Sequence, residues 1–528
     1  MERTAGDVTT MSDSDRLTPR AGITTGARQA ATAAVLAATL LGIAGDGLLR
    51  APALGINVML WVAAALVAVA WVARVRDRPL GRGALALFVP IAFFASVFAW
   101  RAADGLLALN ALALISAFGV LALAASGWPS PLARASLGQM IAGAASVAVS
   151  GVFGMPTLIA SDRALADGNA RPRLRGTVAV VRGAIIALPI LLVFGALLSS
   201  ADPGFERLLT RLIDIDFGET IGHIAFAAFI AWWAGGYLRA AAVADRPLGM
   251  GRDWHPPRVT LGIAELATVL GLVDALFALF VAIQLPHLFG GISRVREVAG
   301  LTMAEYARGG FFQLVVVATL VLPLLLGSAA LVRQDEPRPW RTFRGFALVM
   351  IALVAVMIAS ALQRLGLYVA SFGLTEDRVY ATAIVIWLSI IFALFIATVL
   401  RRREAGFAVA ALISGWVVLA ALDFANPQAM VVRTNAERSV EGASFDWQYA
   451  ARLAADATPE LVQAIGRLDE AGRCSVAQTL VRVADDRTIG IPEDWRSWNA
   501  SRVRAFEAAN AARPRGIVAR CPTRETSP

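Results

Sequence analysis

Residues 54–82 read LGINVMLWVAAALVAVAWVARVRDRPLGR, an uncharged, largely apolar stretch of about twenty residues followed by Arg74, Arg76, Arg78 and Arg82. At 1.5 Å per residue such a helix spans a hydrocarbon core of about 30 Å. Arg gathered at one end marks the side that stays in the cytoplasm. The same unit recurs from Ala30 to Ala425, and crossings are expected at 30–45, 54–73, 84–100, 105–125, 177–199, 219–240, 262–286, 309–332, 343–363, 381–400 and 404–424. The fold class this implies is all-α: a polytopic transmembrane helix bundle of about eleven crossings.

Composition agrees, with 57% hydrophobic and 16% charged residues over 528 positions and a mean hydropathy of +0.64, far from a soluble balance. The net charge of +9 does not point to nucleic acid. The basic residues are all Arg, they sit mainly at the ends of the apolar blocks, and in the tail from Asn426 they nearly cancel against acids, so no phosphate-tracking face forms. The partner is the lipid bilayer.

The polar start, residues 1–29, reads as a disordered cytoplasmic tail without a cleavable signal. Residues 30–425 form the membrane domain, 426–512 a small helical extracytoplasmic domain with a surface for a protein partner, and 513–528 a disordered tail. A further block, Gln139 to Ile159, is rich in Gly, Ala and Ser. If it does not cross, Arg74–Arg82, Arg134–Arg175, Arg239–Arg258, Arg333–Arg344 and Arg401–Arg403 all fall on one side. It is therefore expected to be re-entrant or interfacial, the alternative being a true span whose small residues face other helices. The odd number of crossings then places the amino terminus inside and the carboxyl terminus outside. There an oxidising compartment would permit a disulfide between Cys474 and Cys521, the two cysteines of the chain.

Asp274 lies mid-span in GLVDALFALFVAIQL, where a charge costs about 2.5–3.5 kcal/mol on insertion scales. It either lines an aqueous path or packs as a neutral, hydrogen-bonded group. Glu265 and Gln284 flank it at a distance, and Arg182 is a partner or snorkels to the interface. A second cluster, Asp214, Asp216, Glu219 and His223, occupies an outward loop and the following helix, with His287 on the same side. Glu219 and His223 are spaced i, i+4, but without a second fixed ligand they do not define a metal site. Glu305, Tyr306 and Arg308 form a candidate loop site, which Arg364, Glu376 and Arg378 would extend into an outer vestibule or, alternatively, an interhelical salt-bridge set. There is no HExxH, Walker, CxxCH or GxSxG motif, and no cofactor is expected.

Gln284–Gly291, Leu301–Leu314, Ser360–Arg364, Leu374–Glu376, Asn426–Pro427 and Asn435–Arg438 resemble bacterial membrane proteins grouped as domain of unknown function 4153 or 4173, over about Thr177 to Leu468. The resemblance implies a membrane protein of the bacterial plasma membrane and no established activity. The chain departs from that pattern at His287, where an aromatic is commoner, and at Asp274, where Asn is commoner, which argues against either as a centre shared by the family. Three classes follow: a transporter or channel for an unidentified solute, placed first; an envelope enzyme acting on a lipid-linked substrate, with Asp46 and the outer carboxylates; and a non-catalytic scaffold or sensor.

Overall fold

In lipid every backbone N–H and C=O must be satisfied within the chain, which leaves helices or closed barrels. The computed structural model describes residues 25–126, 135–166, 217–244, 262–289, 311–332, 337–403, 405–440, 446–453, 455–486, 493–512 and 514–521, and these are helical with no strands. The bundle comprises α1 (Thr25–Leu49), α2 (Ile56–Val75), α3 (Arg82–Ala86), α4 (Phe88–Trp100), α5 (Asp104–Ala125), α6 (Leu137–Ala166), α7 (Phe217–Leu238), α8 (Ile263–Phe289), α9 (Phe311–Leu331), α10 (Pro337–Phe372), α11 (Glu376–Ala397) and α12 (Phe407–Ala425). Eleven segments among the described residues are long and apolar enough to cross a membrane. The protein is a multi-pass membrane protein.

Ten of those segments fall on expected spans, and the eleventh is Leu137–Ile159, the block expected to be re-entrant. It belongs to one continuous helix of 30 residues, with the length and composition of a span. Its small residues do face another helix. A Cβ on Gly154 would sit 2.6 Å from Gly236 Cα, and one on Gly236 would sit 2.3 Å from Ser150 O, so α6 and α7 touch backbone to backbone. The expected crossing at 177–199 lies outside the described residues.

Packing fixes the direction of the helices. Ala38 lies by Gly235, Gly42 by Ala231 and Ala227, and Asp46 by His223, so α1 and α7 are antiparallel. Short connections make α1–α2, α2–α4, α4–α5, α10–α11 and α11–α12 antiparallel as well. The chain leaves α5 at the end of the bundle where α1 begins and enters α7 at the opposite end. Arg74, Arg76, Arg78, Arg82, Arg239, Arg338, Arg341, Arg344 and Arg401–Arg403 gather at the end where α1 begins. Four apolar cores organise the described bundle. One lies within α8–α12, around Phe343, Met350 and Phe395, with a smaller one beside it on α8–α11; another joins α1, α2, α6 and α7, with many alanines on α1, and the fourth joins α2, α4 and α5 around Ile91 and Phe94. α12 links the first to the last, its Phe407 lying in the one and its Trp416 packing against the other, with Trp416 Nε1 donating to Ser116 Oγ of α5 at 3.0 Å.

Beyond Asn426 the solvent changes and so does the construction. Helices α13 (Pro427–Val440), α14 (Trp447–Ala450), α15 (Thr458–Ala464), α16 (Glu470–Asp485), α17 (Ala500–Ala511) and α18 (Pro514–Val518) enclose a core of Val432, Leu461, Val476 and Leu480. Cys474 of α16 is bonded to Cys521, 47 residues on. The segment after Arg513, expected as a disordered tail, instead begins with α18, because Cys521 ties it to α16 and Arg515 pairs with Asp485.

Candidate functional site

The C-terminal domain seats on the end of the bundle opposite the start of α1, and the seam is polar and buried. A helix leaves its first N–H groups without intrahelical partners. The amides that lead into α5 are met from the other domain, with Ala102 and Ala103 N–H donating to Asp456 Oδ2 at 2.6 and 2.8 Å. Ser501 donates to Asp456 Oδ1 at 2.5 Å and the Arg101 guanidinium stands 3.6 Å from it. A carboxylate at this position also faces the positive end of the α5 dipole. Arg101 Nε donates to Asp423 O at 2.7 Å, and Asn110 Nδ2 to Asp423 Oδ1 at 2.8 Å. Asn499 Nδ2 reaches the carbonyls of Phe98 and Arg101 at 2.8 and 2.7 Å. Burial lowers the Arg101 pKa from its ordinary value while Asp456 opposes that shift; a guanidinium remains charged nonetheless.

A second part of the seam holds the α10–α11 turn. Gly373 has φ +81°, and a Cβ there would lie 2.6 Å from Asn435 Oδ1, so only Gly fits. Asn435 grips the next residue from both sides, accepting from Leu374 N–H at 2.7 Å and donating to Leu374 O at 2.8 Å. The Tyr449 hydroxyl accepts from Glu376 N–H at 3.0 Å, and Gln428 Nε2 donates to Glu376 Oε1 at 3.0 Å. Arg378 donates to Gly373 O and lies 4.0 Å above the Tyr368 ring. Glu376 and Arg378, read from sequence as vestibule wall or salt bridges, are engaged in holding a turn. Three stretches behind the family resemblance, Leu374–Glu376, Asn426–Pro427 and Asn435–Arg438, meet at this seam.

Elsewhere the bundle brings together residues that lie far apart in sequence. His223 Nδ1 lies 2.7 Å from Asp46 Oδ2, Arg50 is 3.7 Å from the other Asp46 oxygen, and Glu219 is 3.9 Å from His223 Nε2. The imidazole is thus held between two carboxylates, Asp46 at Nδ1 and Glu219 beside Nε2. Among the described residues no group of three or more His, Cys, Asp or Glu side chains is placed to hold a metal ion. Asp214, Asp216, Arg182, Glu305, Tyr306 and Arg308 lie outside the described residues. Gln284 and His287 fall in the last turns of α8.

Asp274 is 6% exposed, one turn from Leu270 and Phe277, which pack against α10. Neither of its oxygens has a hydrogen-bond partner among the described residues. Glu265 does not join it, because its Oε2 accepts from Gly262 N–H at 2.8 Å and caps its own helix. Sequence reasoning missed Asp456, Asn110, Asp423 and Asn499. The visible signal was a polar residue inside or beside an apolar block.

A family model described as a domain of unknown function (DUF4153) matches residues 88–464. The chain belongs to that family. Neither the comparison with curated proteins nor that with solved structures gives a match. The DUF4153 region runs from the first residue of α4 to the last of α15. It contains Arg101, Asp274, Glu376, Asp423, Asn435 and Asp456, whereas Asp46 and both cysteines lie outside it.

Proposed function

We propose that the protein is a transporter for an amphipathic or polar solute in the bacterial plasma membrane, with the amino terminus cytoplasmic and the C-terminal domain outside. The observation that carries the reading is Asp274: a buried mid-span carboxylate with no hydrogen-bond partner among the described residues. Such a group is retained at a cost of about 2.5–3.5 kcal/mol, and taking up and releasing a proton is the function that uses it. The orientation is supported by the Arg residues gathered where α1 begins and by the Cys474–Cys521 bond in the domain at the other end. Purified protein in vesicles loaded with a pH-sensitive dye is to be challenged with a panel of solutes. Solute-driven proton movement in the wild type that Asp274→Asn abolishes supports the reading; equal movement in both sinks it.

A second reading, an envelope enzyme acting on a lipid-linked substrate, is favoured by the Asp46–His223 pair. It requires Asp46→Asn and His223→Gln to alter envelope composition, and unchanged composition in both removes its basis. A free-standing sensor domain has less support, because Asp456, Asn435, Tyr449 and Asn499 spend their polar groups on the bundle.

A further inference from the structure

Between α1, α2, α5, α6 and α7 lies a cavity of about 850 Å³, within the range of small-molecule sites. Along α5 its wall runs from Ala111 to Leu123, about 18 Å at 1.5 Å per residue and more than half of a hydrocarbon core of about 30 Å. Its hydroxyl groups are already engaged. Ser116 donates to Ala113 O and accepts from Trp416, and the Tyr237 hydroxyl donates to Phe118 O. The other lining groups are apolar side chains and small residues, so water gains nothing by entering. Two wall residues, Ile115 and Ile141, are also 69% and 62% exposed. The cavity therefore opens sideways between α5 and α6, onto surface that faces lipid.

We propose that this cavity is a binding site for an acyl chain of a membrane phospholipid, which enters laterally between α5 and α6. The length, the dry lining and the lateral mouth select a flexible hydrocarbon chain, and a phospholipid bilayer presents such chains at that mouth. The inference does not rest on Asp274 and stands or falls separately from the transport reading.

Gly119 provides the test, because it lines the cavity and a Cβ there meets nothing within 4 Å. Gly119→Phe therefore fills the space without a backbone clash, and Ala144→Phe fills it from the α6 side. The full-length protein is reconstituted with phosphatidylglycerol carrying a photoactivatable acyl chain, irradiated, and mapped by mass spectrometry; lipid retained after detergent exchange is measured in parallel. The expected result is labelling concentrated in 111–123 and 137–151, together with a retained phospholipid. Both signals fall roughly tenfold in whichever filled variant elutes as the wild type does, a change worth about 1.4 kcal/mol. Equal retention in the filled variants would falsify the site, as would labelling no stronger there than at the exposed Leu272 and Leu276 of α8. A photo-crosslink from position 119 to the 177–199 segment would overturn it too, by showing that the chain itself fills the space.

Discussion

Within the C-terminal domain helical turns begin at Asp446, Asp469, Asp494 and Asn499, each of which accepts from backbone N–H groups of its own first turn. In the bundle, α2, α4, α5, α11 and α12 begin after Gly55, Leu87, Ala103, Thr375 and Gly406, none of which caps its helix with a side chain, although Asn57 accepts from the Gly55 and Val58 N–H groups at the start of α2. Three of these, the helices that start at the domain-bearing end, receive caps from the other domain. Ile56 N–H donates to Trp498 O at 3.0 Å, the N–H groups before α5 to Asp456, and Glu376 N–H to Tyr449. The difference follows from solvent. In water a local Asp or Asn suffices and can be placed in any turn. In the bundle, α6 and α8 still carry caps of their own, Ser136 and Gln139 bonding each other's N–H groups and Glu265 accepting from Gly262 N–H, but where the adjoining domain seats it supplies partners for the leading amides instead. Inside the lipid, cohesion comes from close approach of small residues.

The contrast is tested hardest by Asp456→Ala, which strips the cap from α5 and leaves Arg101 buried without its ion-pair partner. The expected loss is about 3–5 kcal/mol, read as a large fall in the thermal unfolding midpoint of the whole protein in detergent. An unchanged midpoint would mean that the domain is only appended. Next in size, the Cys474→Ser, Cys521→Ser pair is expected to cost about 2–4 kcal/mol, confined to the C-terminal domain. Hydrogen exchange should rise in α16 and α18 while α1–α12 stay protected; a rise throughout the bundle would erase the division between the two regions. Gly236→Ala, which pushes a methyl to 2.3 Å from Ser150 O, is expected to cost about 1–3 kcal/mol. It should loosen α6 from α7 without touching the seam, as disulfide crosslinking between paired engineered cysteines would report. The smallest effect is electrostatic. Arg496 holds the Asp494 carboxyl below the usual carboxylate range, so this pair contributes above about pH 4 and its contribution is lost as pH falls through the lowered value. Exchange at 493–498 should therefore increase only in acid, and an increase on raising the pH from neutrality would contradict the assignment.

The spans were legible because each is specified by its own apolar length, without reference to a neighbour. Where neighbours decide, the sequence was a poor guide. Arg sidedness argued against a crossing at 139–159, yet that block is a continuous helix whose Gly151 and Gly154 are shaped to α7, information that resides on the partner. α10 runs Pro337–Phe372 rather than 343–363, since its ends are set by the turn at Gly373 and not by where hydropathy falls. The seam was illegible for the same reason. Asn110 meets Asp423 across 313 positions and Asp456 meets Ala102 across 354, and no local spacing encodes pairs so far apart. Asp46 and His223 could each be singled out, but not joined.

The borrowed caps also impose an order on biogenesis. Helices α2, α5 and α11 are synthesised before Tyr449, Asp456 and Trp498 exist, so their leading amides must wait at the membrane surface, bound to water. The bundle reaches its final geometry only once the residues beyond Asn426 have been made and have closed over that face. A ribosome stalled near Asn426 would therefore leave a full set of inserted spans with one face unfinished, a distinct target for membrane quality-control proteases.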